Sequence, residues 1–214
     1  MLVFELDGVL ILPTGELNEV LINTVLVPAI RLRDARKIDA IILLTNNDNK
    51  EYINNKSEVL KIYCNEMLNS NSNSNRSIFD YTMRPSHAAR AASNTKNITH
   101  LTYILNALNN HKNIPNNRRI PFKTDAQILE QTYLFDKEDS DLSRTLRPGH
   151  FYKPHIVPTN TNTTYVDMNY EYNNIYEYLE EIEQMAPRPK ISSRVLGGTR
   201  KKTRKHKTKK RRAY

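Results

Sequence analysis

Two carboxylates, Glu5 and Asp7, stand one residue apart directly after a short apolar run, and Gly8 follows them. Because side chains alternate along an extended chain, both carboxylates lie on the same side of an emerging strand. Gly8 allows the backbone to turn away at once. Two neighbouring carboxylates are costly unless a cation or a proton compensates their charge. The pair therefore predicts a chemical site rather than a solvated strand end.

Polar residues also follow two later apolar runs. The run at 40–44 ends in Thr45 and Asn46, and the run at 131–135 ends in Asp136. If all three runs are strands of one parallel sheet, their polar ends meet at the edge where ligands of such sheets bind. The alternative for Thr45 and Asn46 is that they only cap the next helix.

Further residues can complete this group. Asp139 and Asp141 follow the third run and can each supply a supporting acid, although loop acids are often merely solvated. Lys96 immediately precedes a predicted helix and can supply a positive charge, with Arg84 and Arg90 as alternatives. Carboxylates hold a hard cation such as Mg²⁺, whereas a hydroxyl and an ammonium bind phosphoryl oxygens. The set predicts a phosphate-and-magnesium site.

The segments that must position these residues alternate between strand and helix patterns. The run at 40–44 is continuously apolar and suits a central parallel strand that is covered on both faces, and the segments at 2–6 and 131–135 are also predicted as strands. Apolar residues at helical spacing predict helices at 97–109 and 172–185, and a helix that opens after Asn49 with a core face made of Ile53, Leu60, Tyr63 and Met67. Shorter helices are predicted at 28–36, where a proline stands in the first turn, and at 126–130. The alternation predicts an α/β fold with a Rossmann-like parallel sheet and helices on both faces.

Three segments are less regular. The turn residues 13–15 lie between apolar stretches at 9–12 and 20–27 and predict a small hairpin. Alternating apolar residues at 79–83 and an apolar run at 152–157 predict two further short strands.

The 214 residues are enough for one domain and a tail. We predict a domain at 1–190, with an insertion or loop region at 68–92, and a disordered basic tail at 191–214. Cys64 is the single cysteine and is expected to be a buried thiol. There is no apolar run of membrane-spanning length and no signal peptide. We therefore expect no membrane partner and an intracellular location.

Four segments together resemble the haloacid dehalogenase (HAD) superfamily. Residues 3–10 resemble its first motif, an apolar strand followed by Asp-x-Asp-Gly, and residues 41–47 resemble its second motif, a strand ending in Thr and Asn. Lys96 is the candidate for the third motif, and residues 133–136 resemble the fourth. The resemblance covers residues 1–185. The small insertion and the closing strand and helix are similar to the cap-less branch that contains the RNA polymerase C-terminal-domain phosphatases.

The resemblance implies a role for each polar residue. Glu5 stands where the family has its nucleophile, and Asp7 would be the general acid and base, with its backbone carbonyl as a metal ligand. Thr45, with Asn46, would bind the phosphoryl oxygens, and Lys96 would neutralise charge.

The fourth motif implies the rest of the metal site. Asp136 would bind Mg²⁺ together with the Glu5 carboxylate and the backbone carbonyl of Asp7, and Asp139 or Asp141 would be the supporting acid. Cap-less members take large substrates, so a phosphorylated macromolecule is the expected substrate class.

The chain departs from the family at the nucleophile, which is normally Asp. Glu5 is longer by one methylene, and a misplacement of about 1 Å can cost about 100-fold in rate. Lys137 follows Asp136, and Val9 stands where the polymerase-phosphatase branch has Thr. Three functions stay open. The first is a Mg²⁺-dependent phosphomonoesterase, and the second is a catalytically degenerate pseudoenzyme that acts as a binding or scaffold module. In the third, the basic tail has the main function and the domain is its carrier.

Ten of the 32 Lys and Arg residues lie at 200–212, so the remainder of the chain holds 22 basic and 23 acidic residues. A segment of like charges with nothing to bury cannot fold alone. Binding of nucleic acid or another acidic partner therefore belongs to the tail. Its candidate residues are Arg200, Lys201, Lys202, Arg204, Lys205, Lys207, Lys209, Lys210, Arg211 and Arg212.

The tail also offers a nuclear import signal or a packaging tag as alternatives. An asparagine-rich chain whose C-terminal tail contains Gly-Gly-Thr-Arg-Lys-Lys is similar to proteins of giant DNA viruses. This similarity implies a viral protein in the host cytoplasm, the host nucleus or the virion.

Overall fold

A five-stranded sheet, with all neighbouring strands parallel, forms the centre of the computed structural model. Its strands are β1 (Leu2–Phe4), β2 (Ile41–Leu44), β3 (Tyr81–Met83), β4 (Tyr133–Phe135) and β5 (Phe151–Tyr152). The order across the sheet is β3-β2-β1-β4-β5, which places β1 in the middle. The structure describes residues 1–68, 77–84, 95–110, 120, 124–153, 155–158, 164–167 and 173–185.

Helices follow the strands along the chain. They are α1 (Glu19–Leu21), α2 (Val27–Asp34), α3 (Lys50–Met67), α4 (Ile98–Asn110), α5 (Asp125–Glu130), α6 (Asp141–Thr145) and α7 (Asn173–Gln184). A π-helical turn, Ile22–Leu26, joins α1 to α2. A separate antiparallel pair consists of β6 (His155–Pro158) and β7 (Thr164–Asp167). Within the described part of the chain, no helix is both long enough and apolar enough to cross a bilayer.

Each face of the sheet has its own hydrophobic core, because neighbouring residues of a strand point to opposite faces. On one face, Phe4 packs with side chains of α2, α3 and α7. On the other, Val3 packs with side chains of α4, α5 and α6. The strand residues of β1, β2 and β4 are all buried, which explains why they are apolar without alternation. The predicted Rossmann-like sheet with helices on both faces is confirmed.

The region around residues 20–27 differs from the prediction. The hairpin is present as a turn whose Ile11 and Leu17 form an antiparallel bridge. The apolar stretch after it is helical, because its buried residues recur at helical spacing and the Asn18 side chain caps the first turn. The wide π-helical turn lies where Pro28 cannot donate to the carbonyl four residues earlier.

Two smaller expectations need correction, and one range gains a strand. The predicted strand at 152–157 is two strands in two different sheets. Met67 does not face the core: it is exposed, and Cys64 is the buried residue of that turn. The short strand predicted at 79–83 is present as the edge strand β3, which lies inside the range 68–92 that was predicted as an insertion or loop region. The predicted basic tail and domain boundary near residue 190 lie outside the described residues.

Candidate functional site

The register of the sheet brings the three polar strand ends together. Phe4 pairs with Leu43 of β2 on one side and with Phe135 of β4 on the other. Glu5 and Asp136 are the next residues of their strands, so they stand at the same level. Thr45 follows β2 at the same edge. The side chains of all three are buried, although each is polar.

The Glu5 carboxylate accepts hydrogen bonds from several parts of the chain. Its Oε1 accepts from the Leu6 N–H at 2.9 Å and from the Thr45 hydroxyl at 2.6 Å. Its Oε2 accepts from the Asn46 N–H at 3.1 Å and from the Lys96 ammonium. Glu5 is 2% exposed. This buried carboxylate is therefore satisfied by two backbone amides, a hydroxyl and a cation.

Lys96 links Glu5 to Asp136. Its Nζ lies 2.7 Å from Asp136 Oδ2 and also contacts Glu5 Oε2. The backbone carbonyl of Lys96 accepts a hydrogen bond from the Leu142 N–H of α6, and α4 begins two residues later. The backbone thus fixes the cation between two buried acids. One ammonium for two carboxylates leaves the buried group with a formal charge of −1.

Asp7 has different partners from Glu5. Its Oδ2 accepts from Asn47 Nδ2 at 2.9 Å, and its Oδ1 accepts from the Tyr52 hydroxyl at 2.8 Å. Burial, together with the hydrogen bond and charge of Asp7, raises the pKa of Tyr52 to about 12. Tyr52 therefore remains a neutral donor at physiological pH. Asp7 is only half-buried, so its carboxylate can meet a ligand and water.

The sequence did not reveal Tyr52 or the role of the Asn47 side chain. Asn49 caps α3 by accepting from the Tyr52 N–H at 3.0 Å, so Tyr52 lies in the first turn of that helix. The first turn of a helix that follows a strand end lies beside the ligand edge of the sheet. This position in the first turn is the feature of the sequence that could have identified Tyr52 as a site residue.

Gly8 turns the chain away from the site with φ of 79°. This left-handed conformation favours glycine. A Cβ at Gly8 would lie 2.7 Å from Cδ of Lys137, the residue after Asp136. The aliphatic part of Lys137 therefore lies against the turn that carries Asp7.

Other predicted site residues have partners of their own. Asp139 is exposed and lies 3.4 Å from Lys153 Nζ. Asp141 begins α6 and accepts from the Thr95 hydroxyl at 2.9 Å. Among the contacts of the described residues, neither carboxylate touches Glu5, Lys96 or the Asp136 side chain. Arg84 follows β3, whereas Arg90 and the basic residues from Arg200 to Arg212 lie outside the described residues.

Asn46 contributes through its backbone rather than its side chain. Its N–H donates to Glu5, while the Thr45 hydroxyl accepts from the Asn47 N–H at 3.1 Å. Thr45 is thus fixed as a donor toward Glu5. The helix-capping role that was the alternative for this pair belongs to Asn49 instead.

Glu5 and Asp136 are the buried carboxylates of the site that could hold Mg²⁺. Mg²⁺ is commonly bound by one or two carboxylates, with water and substrate phosphate completing its shell. The two carboxylates face one ammonium, and Asp136 Oδ1 accepts a single backbone N–H, from Glu138 at 3.1 Å. Over the described residues, no cluster of three or more His, Cys, Asp or Glu side chains forms a metal site. The side chain of Asp7 is directed to Tyr52 and Asn47.

Comparison with protein-family models, with curated proteins and with solved structures returned no significant match.

Proposed function

We propose that this chain is a HAD-like phosphatase-fold protein whose site receives the phosphoryl group of a phosphomonoester, and that Mg²⁺-dependent hydrolysis is its reaction. One observation carries the proposal. The resemblance assigns the nucleophile to Glu5 and the hydroxyl that binds phosphoryl oxygens to Thr45. It assigns the cation to Lys96 and a metal ligand to Asp136. These four residues come from four separate segments and meet in one buried group.

The residues present can divide the reaction into two displacements. A Glu5 oxygen forms a bond to phosphorus while the bond to the leaving alcohol oxygen breaks, and Asp7 donates a proton to that oxygen. Asp7 then takes a proton from water, whose oxygen attacks phosphorus and releases inorganic phosphate and the Glu5 carboxylate. Thr45 and Lys96 stabilise charge on the phosphoryl oxygens.

Glu5 and Asp136 would hold Mg²⁺, which supplies further positive charge to the phosphoryl group. Removal of the metal with a chelator is then expected to abolish hydrolysis and leave the fold intact, because Lys96 pairs with both buried acids without the metal.

Hydrolysis of an aryl phosphate with Mg²⁺ tests the proposal. We expect turnover by the wild type and a loss of about 100-fold or more in Asp7→Asn, because the amide cannot exchange the proton. Asp34→Asn, at the end of α2, is the control for removal of one acid. Equal rates for wild type and Asp7→Asn would reject the proposed chemistry.

A second candidate is a catalytically degenerate domain that binds without turnover. The observation that favours it is that the Glu5 carboxylate itself accepts from Thr45, Asn46 and Lys96. These donors are then engaged before any substrate arrives. Absence of turnover in the wild type, with turnover in Glu5→Asp, would support this candidate over the first.

The substrate and partners are part of the proposal. A phosphorylated macromolecule is the proposed substrate class, and the tail is proposed to bind nucleic acid or another polyanion in the cytoplasm, nucleus or virion. Deletion of residues 197–214 should weaken DNA binding and flatten its dependence on salt, because ten Lys and Arg residues are lost. Unchanged affinity would reject this role.

A further inference from the structure

The donors around Glu5 form a cradle that would suit any small oxyanion. We define the oxyanion cradle as the N–H groups of Leu6 and Asn46, the Thr45 hydroxyl and the Lys96 ammonium. Two amides, a hydroxyl and an ammonium are donors that also bind phosphate oxygens. The chain fills this cradle with its own carboxylate, from Glu5.

The cradle does not depend on Glu5 for its shape. Two of its donors are backbone amides at strand ends. The Thr45 hydroxyl is held by the Asn47 N–H, and the Lys96 ammonium is held by Asp136 at 2.7 Å. Removal of the Glu5 carboxylate therefore leaves four donors in place. It also leaves Lys96 paired with Asp136, so no buried charge loses its partner.

We propose that the Glu5 carboxylate is an internal occupant of an oxyanion site, and that it competes with orthophosphate and phosphomonoesters for the cradle. This inference rests on the proposed function, because it concerns the same site. A side chain one methylene shorter would leave the outer part of the cradle to the ligand. Entry of a phosphoryl group into the wild-type protein requires the Glu5 carboxylate to withdraw from Thr45, Asn46 and Lys96.

Binding of inorganic phosphate to the full-length Glu5→Ala variant tests the inference. We expect Glu5→Ala to bind phosphate at least about 10-fold more tightly than the wild type, measured by titration calorimetry. Glu16→Ala removes one exposed acid and should bind as the wild type does. Glu5→Gln keeps the side-chain volume in the cradle and should gain much less than Glu5→Ala.

A second variant tests whether phosphate binds at the oxyanion cradle. Thr45→Val in the Glu5→Ala background should reverse most of the gain, because one cradle donor is lost. Phosphate binding by Glu5→Ala that is no tighter than that of the wild type would overturn the inference, as would a gain that Thr45→Val leaves unchanged.

Folding is followed in the same samples by circular dichroism. Phosphate that binds only the folded state raises the unfolding midpoint, or restores folding to a variant that is unfolded without it. A Glu5→Ala chain that stays unfolded as phosphate is added would also overturn the inference. The experiment measures phosphate binding and not hydrolysis, so the inference and the proposed function can fail independently. Tight phosphate binding without wild-type turnover supports the cradle alone, and Asp7-dependent turnover without that binding supports hydrolysis alone.

Discussion

The hydroxyl of Tyr52 donates a 2.8 Å hydrogen bond to Asp7 Oδ1, across 45 residues of sequence. Tyr52 is in the first turn of α3, and Asp7 follows β1 at the centre of the sheet. Asn47 holds the other oxygen of the same carboxylate. Asp7 is therefore oriented by two neutral donors, whereas Glu5 is held mainly by a cation and backbone amides.

Tyr52→Phe should lower kcat of aryl phosphate hydrolysis by about 10-fold, because Asp7 loses a donor that fixes its orientation. KM should change little, since Tyr52 is not among the cradle donors. Tyr63→Phe is the matched control: Tyr63 lies on the same helix, and its hydroxyl accepts from Asn23 on the exposed surface. Equal kcat values for the two variants would contradict the positioning role of Tyr52.

Lys96→Met should strongly destabilise the protein, because it leaves Glu5 and Asp136 buried together without a cation. Removal of one partner from a buried ion pair costs about 3–5 kcal/mol, and the side chains concerned are 2–3% exposed. Urea unfolding measures the change. The control is Lys61→Met, whose partner Glu58 is exposed, and which should cost less than about 1 kcal/mol. A similarly small effect for Lys96→Met would show that the pair is not buried in solution.

Gly8→Ala and Gly15→Ala should differ in cost, although both glycines have positive φ, of 79° and 86°. Each substitution costs about 1–2 kcal/mol, because alanine must adopt a left-handed backbone conformation. A Cβ at Gly15 meets nothing within 4 Å, whereas one at Gly8 meets Lys137. Thermal unfolding should rank Gly8→Ala as the less stable variant. Lys137→Ala should remove the difference, and a difference that survives it would refute the predicted contact.

The stability of the fold should decline at alkaline pH in part through Cys64. Burial raises the pKa of its thiol from 9.0 to about 12. The folded protein thus holds this proton more tightly than the unfolded chain. The resulting stability is complete below the unfolded pKa and is lost as pH rises toward the folded one. Urea unfolding at several pH values between about 8 and 11 should show a shallower decline for Cys64→Ala than for the wild type. Parallel declines would exclude this contribution.

The sheet could be predicted because its strands are buried on both faces. The strand residues around Phe4, Leu43 and Leu134 are apolar, and the segments between them carry apolar residues at helical spacing. The strands and helices can therefore be assigned from the sequence. The helix at 19–34 was partly missed, since a turn signal before it and Pro28 within it suggested a hairpin and a later start. Asn18 and the buried residues at helical spacing decide the structure there.

The site was predictable only in part. Glu5, Thr45 and Asp136 are polar residues at strand ends, and strand register brings them together. Lys96 precedes a helix and joins them through its side chain. Tyr52 could not be chosen in this way, because contacts between side chains of separate segments leave no local pattern. For the same reason, the sequence does not reveal that the Glu5 carboxylate accepts hydrogen bonds from Thr45, Asn46 and Lys96.

The most direct measurement of the central claim is the rate of aryl phosphate hydrolysis by Glu5→Asp with Mg²⁺. In the proposed function, the first carboxylate acts at a phosphoryl group that the donors around Thr45 and Lys96 hold. Shortening that carboxylate by one methylene should free the cradle and raise kcat/KM by about 100-fold over the wild type. Glu16→Asp, at an exposed position, should have no effect. A Glu5→Asp rate no higher than that of the wild type would contradict the claim.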